Sequence, residues 1–400
     1  MWSALQHAKS QALGFARRHK KLLVATTVTA ACAAGAYYAY TRMVHEAEKF
    51  TQQLQRQMAE HQRLQLSLAS TTEESSATVQ RFLPRLRSRL YALVDLESVV
   101  QELKALDKTQ RARRNALWEQ AKTLALTRYF TALVAFGLWH LLVFSQVAII
   151  GKRVFEKSKA NAETFAFASR EDEEKAHAAA HHAFLASGLE YFLGEGLEKI
   201  KSHVERVVAS NDQLKSWEVS RKAKVEREEL NELLQSIFLA VVPSQTGSSS
   251  VASDHGGEQL ALWRSFLIYS DKKPSQNEHV ISLLNDLWDL LDSDLFAPAL
   301  QHSLGYLCGN AFQDLNEVVY GFVASEHRVI EEEEEIRRTK PAPALAKLIP
   351  CLQAEIGKLL SSGPESYVFK YSQGVGEMEQ FRNFYEAIFF QQDDLVAQLI

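Results

Sequence analysis

The stretch from Ala116 to Phe155, ALWEQAKTLALTRYFTALVAFGLWHLLVFSQVAIIGKRVF, most restricts what this chain can fold into. Between Thr131 and Ile150 its apolar run is interrupted only by Gly137, His140, Ser145 and Gln146. A helix that is apolar on every side has two stable surroundings, lipid or the middle of a protein. In the first case the chain crosses a bilayer here. In the second, other helices wrap around this one and build a large domain. The residue pattern leaves both open.

Everything around that stretch reads as helix. The 400 residues hold only 8 prolines and 17 glycines, which disfavours a turn-rich β fold, and no strand alternation runs for any length. His45 to Leu68 reads as a helix with a loose apolar stripe. Ser70 to Ser76 (STTEESS) carries capping chemistry and predicts a break. Pro84 suits the first turn of the next element, whose apolar face recurs from Val79 to Leu106. A basic hinge, Lys108 to Arg114, leads into the long apolar helix. Beyond it, Phe184 to Val208 is strongly amphipathic, and Gly188, Gly194 and Gly196 within it point to close helix packing. Ser216 to Val242 reads as helix throughout, charged in its first half. Residues 243–257, rich in Gly and Ser, predict a mobile loop. Helices follow at Glu258 to Tyr269, His279 to Leu291, Phe296 to Phe322, Leu345 to Leu360 and Gly376 to Phe390. The acidic run Glu331 to Glu335 predicts a solvated surface.

Nearer the N-terminus, Leu22 to Tyr40 forms an uncharged run of 19 residues, almost long enough to span a hydrocarbon core. Arg17, Arg18, Lys20 and Lys21 precede it, Arg42 follows it, and Tyr37, Tyr38 and Tyr40 suit an interfacial aromatic belt. A cleaved secretory signal is the competing reading, but the run exceeds an ordinary signal core and continues at once into a charged helix. The pattern favours a retained anchor. It divides the chain into a basic segment 1–21, a transmembrane anchor 22–40 and a helical domain 41–400. By the positive-inside rule alone the N-terminus would stay in the cytosol.

Several function classes are excluded or disfavoured. A formal net charge of −4 argues against a nucleic-acid binder working through bulk charge. Cys32, Cys308 and Cys351 are isolated and suggest neither a disulfide framework nor a zinc site. His177, His181 and His182 lie at helical spacing, but no carboxylate pattern makes them metal ligands. No nucleophile elbow, phosphate loop or dinucleotide fingerprint is present, so the chain reads as a non-enzyme without a cofactor. What remains is a helical binding scaffold. Its rivals are a membrane-anchored tether dimerising through residues 45–68, or a protein spanning the membrane twice. Trp118 stands out, because it opens the apolar helix among charged Arg114, Glu119 and Lys122, and tryptophan is the residue most enriched at binding hot spots.

An ordered set of short segments resembles the peroxin-3 family, the peroxisomal biogenesis factors 3. They are the basic ARRHKK before the anchor, FLPRL at Phe82 to Leu86 and LWEQAKTLALTR at Leu117 to Arg128. QVAIIG at Gln146 to Gly151, LGEGL at Leu193 to Leu197 and ALAKLIP at Ala344 to Pro350 complete it. The resemblance implies an all-α protein with one N-terminal transmembrane helix and one large cytosolic bundle around a long buried central helix. It implies an N-terminus in the peroxisomal matrix, contrary to the positive-inside rule, with Arg17, Arg18, Lys20 and Lys21 in a targeting signal. The family docks peroxin-19, the chaperone of newly made peroxisomal membrane proteins, by taking its N-terminal amphipathic helix into a groove. Carried over, the groove residues are Trp118, Lys347, Leu103, Arg114, Ala121 and Val154. Ala121 stands where the family has a larger aliphatic, which makes the groove shallower. The cytosolic domain is expected to be monomeric and the lipid contact to run through 22–40.

Overall fold

The computed structural model describes residues 20–107, 109–164, 171–242, 255–269, 277–321, 340–361 and 366–389, without the side chains of 20–36, 39, 160–164, 171–174 and 255–258. Two compact units are present, Met1–Leu66 and Ser67–Ile400. Among the described residues the regular structure is helical: α1 Lys20–Leu93, α2 Leu96–Ala105, α3 Arg111–Thr164, α4 Glu171–Tyr191, α5 Leu197–Ser210 and α6 Asp212–Ser216. There follow α7 Arg227–Val241, α8 His255–Leu267, α9 Glu278–Asp292, α10 Phe296–Tyr320, α11 Leu345–Leu359, α12 Val368–Glu377 and α13 Glu379–Glu386.

The long apolar stretch lies within α3, a single helix of 54 residues, about 80 Å at 1.5 Å per residue. Its most apolar window is 94% buried. α2, α4, α5, α9, α10, α11 and α13 pack around it, so it is the interior helix of the second unit. His140, Ser145 and the amide nitrogen of Gln146 among its polar interruptions find protein partners, while Gln146 Oε1 has none among the described residues. The ring of His140 bonds Ser372 Oγ of α12 through Nε2 at 2.7 Å and the Phe136 carbonyl through Nδ1 at 2.9 Å. Gln146 Nε2 donates to the Phe184 carbonyl of α4 at 3.0 Å. Burial pushes the pKa of His140 down to about 4, so the imidazole is neutral in the folded chain.

In the second unit, the end of α1 lies on the bundle through Thr71, Ser75, Val79, Leu83, Leu86 and Leu90, all buried. That 3–4 spacing runs straight through the segment expected to break at 70–76, and the helix is continuous. The capping-type hydroxyls serve a different end. Thr71 Oγ1 donates to the Ser67 carbonyl and Ser75 Oγ to the Thr71 carbonyl, each at 2.7 Å, which satisfies polar groups on a buried face. Pro84 sits inside the same helix rather than in a first turn. It is solvent-exposed, where water can serve the carbonyl that its missing N–H leaves free.

Two further expectations need revision. Ser216 to Val242 is helical only from Arg227, where Glu226 and Glu229 form a capping box; residues 217–226 form an irregular strap. The last predicted helix, Gly376 to Phe390, is the shorter α13, Glu379–Glu386, and a separate helix that the sequence did not suggest, α12, precedes it. Phe184 to Val208 does run as helix, with a π turn at Phe192–Gly196. Gly188 and Gly196 mark close approaches, since a Cβ would collide with Gln146 and with the Phe266 carbonyl, whereas Gly194 has open space. The expected span 22–40 falls within the backbone of α1, but the side chains of 22–36 and 39 lie outside the described residues. So do Arg17, Arg18, the side chains of Lys20 and Lys21, residues 243–254 of the expected loop 243–257 and Glu331 to Glu335; the last three residues of that loop are helical instead and open α8.

Candidate functional site

The end of the bundle where α3 begins gathers most of the residues that the sequence singles out. α2 runs back along α3, and ion pairs at both ends fix this. Arg128 Nη1 donates to Glu97 at 2.7 Å and its Nε to the Val94 carbonyl at 2.8 Å. Near the start of α3, Arg113 Nε donates to Glu102 at 3.1 Å. This geometry sets Leu103, on α2, beside the first turns of α3. Leu103 is buried with Leu117 and Ala121 in the core. Trp118 is only half-buried, its ring packed on that core.

α11 forms the other wall. Leu345, Leu348, Ile349 and Leu352 line an apolar pocket shared with Lys122 and Leu126 of α3. The first turn of α11 therefore stands beside the turn of α3 that follows Trp118. Lys347 projects from it into solvent. Among the described residues neither Arg114, also exposed, nor Lys347 has a carboxylate partner. Lys104 and Arg111 are exposed at the same end. The carboxylates nearby are engaged: Glu102 with Arg113, Glu218 with Arg221, Glu119 with Lys122. The result is a half-buried aromatic ring on an apolar floor with uncommitted cations at its edge, an arrangement suited to an amphipathic segment carrying acidic residues.

Not every expected residue joins this surface. Ala121 is fully buried and lies beneath the surface as part of its floor. Val154 is exposed but stands 36 positions further along α3. Because α3 is unbroken, that is about 54 Å from Trp118, and one docked helix of a few turns does not reach both. Leu103, Arg114, Trp118 and Lys347 share one end of the bundle; Val154 belongs to another region.

Sequence reasoning took Lys122 only as a charge flanking Trp118 and missed the strap. Lys122 is buried, and its ammonium meets three oxygens: the carbonyls of Leu214 and Trp217 at 3.0 and 2.6 Å, and Glu119 at 2.6 Å. Glu119 in turn accepts the Val219 N–H at 2.6 Å. The available signal was a lysine on the apolar side of a helix, three residues after a glutamate.

A model of the Peroxin-3 family matches residues 104–385 of the chain. Peroxisomal biogenesis factor 3 of Bos taurus is 24% identical over 391 residues, which cover 92% of this chain and 94% of that protein. The Homo sapiens protein of that name shows the same identity and coverage, and the Mus musculus one is 23% identical over 390 residues.

Proposed function

This chain belongs to the Peroxin-3 family, and on that premise we propose that it serves peroxisome biogenesis as the membrane docking receptor for peroxin-19. The observation that carries the reading is the half-buried Trp118 ring, packed on the core one turn before the Lys122 pocket that α11 shares, with exposed Arg114 and Lys347 on the same two helices and without a carboxylate partner among the described residues. A partly exposed tryptophan beside uncommitted cations suits a binding hot spot, where aromatic anchors are enriched.

The occupant is the amphipathic N-terminal helix of peroxin-19. Its apolar face covers Trp118, which can bury on the order of 200 Å², and its acidic residues meet Arg114 and Lys347. Leu103 and Ala121 supply the floor. Residues 22–40 anchor the chain once in the peroxisomal membrane, the basic residues Arg17, Arg18, Lys20 and Lys21 belong to its targeting, and residues 41–400 face the cytosol. The burial of Thr131 to Ile150 supports a single span, since it leaves 22–40 as the remaining apolar run of bilayer length.

The test is a titration of full chain in detergent micelles with a peptide of that helix. Trp118→Ala is expected to weaken binding by at least ~2 kcal/mol, about thirtyfold, with an unchanged melting curve. Val154→Asp leaves affinity unchanged. A melting transition that falls together with binding would make Trp118 a core residue only.

A further inference from the structure

The strap 217–226 joins the two walls of the candidate groove by backbone hydrogen bonds. On the α3 side, the Val219 N–H donates to Glu119, and the carbonyls just before it, Leu214 and Trp217, accept from Lys122. On the α11 side, the Leu345 N–H donates to the Lys222 carbonyl at 3.4 Å and the Val225 N–H to the Pro343 carbonyl at 2.9 Å. Tyr320 of α10 donates its hydroxyl to the Val225 carbonyl at 2.9 Å. Trp118 is one residue from Glu119, and Lys347 is two residues from Leu345. α11 also packs on α3 directly, and the strap adds a second tie between the turn that carries the aromatic ring and the turn that carries the lysine.

Lys122 is chemically conspicuous in this role. An ammonium group removed from water is costly unless all three protons are bonded. Here each proton has an oxygen: the Trp217 carbonyl of the strap, the Leu214 carbonyl of α6 just before it, and Glu119. An apolar side chain would fill the same pocket among Leu126, Leu230 and Leu348 without that expense, but it would hold no carbonyl. We propose that Lys122 and Glu119 are positioning residues for docking: they fasten the strap to α3 so that Trp118 and Lys347 are correctly spaced before the partner arrives. This rests on the docking function proposed above. Preorganisation of that kind raises affinity because the partner need not order the strap on binding, and its loss appears as a smaller fraction of binding-competent chain.

The experiment compares full chain in detergent micelles as wild type, Lys122→Met and Glu119→Gln. Amide exchange is followed across residues 214–222, and a synthetic peptide of the peroxin-19 N-terminal helix is titrated against each. Lys122→Met is expected to speed exchange of the Val219 amide at least tenfold and to raise the peptide Kd about tenfold through slower association. Its melting temperature stays within a few degrees of wild type. Glu119→Gln keeps an oxygen for the Val219 amide and loses the ion pair, so it falls between the two. An opened Val219 amide with unchanged affinity overturns the proposal, and so does weakened binding with that amide still protected. Should Lys122→Met fail to fold, Glu119→Gln is judged by the same pair of readouts. Wild-type chain that ignores the peptide removes the docking function and the positioning role with it, while the exchange rates still report whether the pair fastens the strap.

Discussion

Arg128 ties three elements together. Its side chain is fully buried, its Nε and Nη2 donate to the Val94 carbonyl, and its two terminal nitrogens grip Glu97. The guanidinium carbon also lies 4.4 Å from the centre of the Tyr91 ring. Replacement by methionine keeps most of the volume and removes every polar contact. The Val94 carbonyl keeps the Leu96 N–H at 3.1 Å, so losing the charged bonds from Arg128 costs about 1–2 kcal/mol and the lost cation–π contact about 1. The pair with Glu97 adds little, because that carboxylate is 46% exposed and solvent screens it. Relief of the desolvated charge offsets part of the loss, leaving a net cost of ~2 kcal/mol. For a unit the size of Ser67–Ile400, an unfolding entropy of ~2.1 cal/mol/K per residue turns that into a fall of about 3 °C in melting temperature. The acid limb adds a second signature. Bonding to Arg128 holds the Glu97 pKa below its ordinary 4.5, so its stabilisation is present above 4.5 and fades as pH falls through the lower folded value. Thermal melts of both proteins from pH 7 to 3 should show the gap narrowing at the acid end. A variant that melts with the wild type at pH 7 would refute the idea that Arg128 holds α1, α2 and α3 together.

Other perturbations follow from the packing of α3 and its neighbours. The His140 pKa of about 4 lies below the ordinary 6.5, so the neutral ring stabilises the fold fully above 6.5. As pH falls from there toward 4, only the unfolded chain takes up the proton, and about 2 kcal/mol is lost by pH 5. His140→Gln should remove that slice, seen as a smaller difference between melts at pH 7 and pH 5. Gly196→Ala drives a Cβ into the Phe266 carbonyl, a backbone atom that cannot rotate away. The cost should be on the order of 2 kcal/mol by denaturant titration. Gly194→Ala meets nothing within 4 Å and should be neutral or stabilising by up to ~1 kcal/mol.

How far the sequence discloses this molecule can be judged residue by residue. Helical class and most helix ends follow from apolar spacing, and the Trp118 segment is visible as charged residues opening an apolar run. The surroundings of Thr131 to Ile150 are not legible from composition, because lipid and a protein core are equally apolar. What distinguishes them is where His140 and Gln146 find partners, and those partners, Ser372 and the Phe184 carbonyl, lie far along the chain. The helix through 70–76 is hidden for a related reason. Thr71 and Ser75 look like caps, yet they are simply buried members of a stripe that continues at Val79 and Leu83. Residues 217–226 contain no proline or glycine and read as helix, but hydrogen bonds to Pro343 and Leu345 outcompete local propensity. Val154 fails for geometric reasons alone: a helix without a break carries it about 54 Å from Trp118.

The account turns on whether Thr131 to Ile150 is the interior of a domain that docks a partner helix. Chain beginning at residue 44, which lacks the 22–40 run, tests this directly when purified without detergent and titrated with the peroxin-19 peptide. The account predicts a soluble monomer that binds one peptide and loses it with Trp118→Ala. Chain that partitions into membranes, or stays in solution only with detergent, would make the long apolar helix a second span and contradict the account.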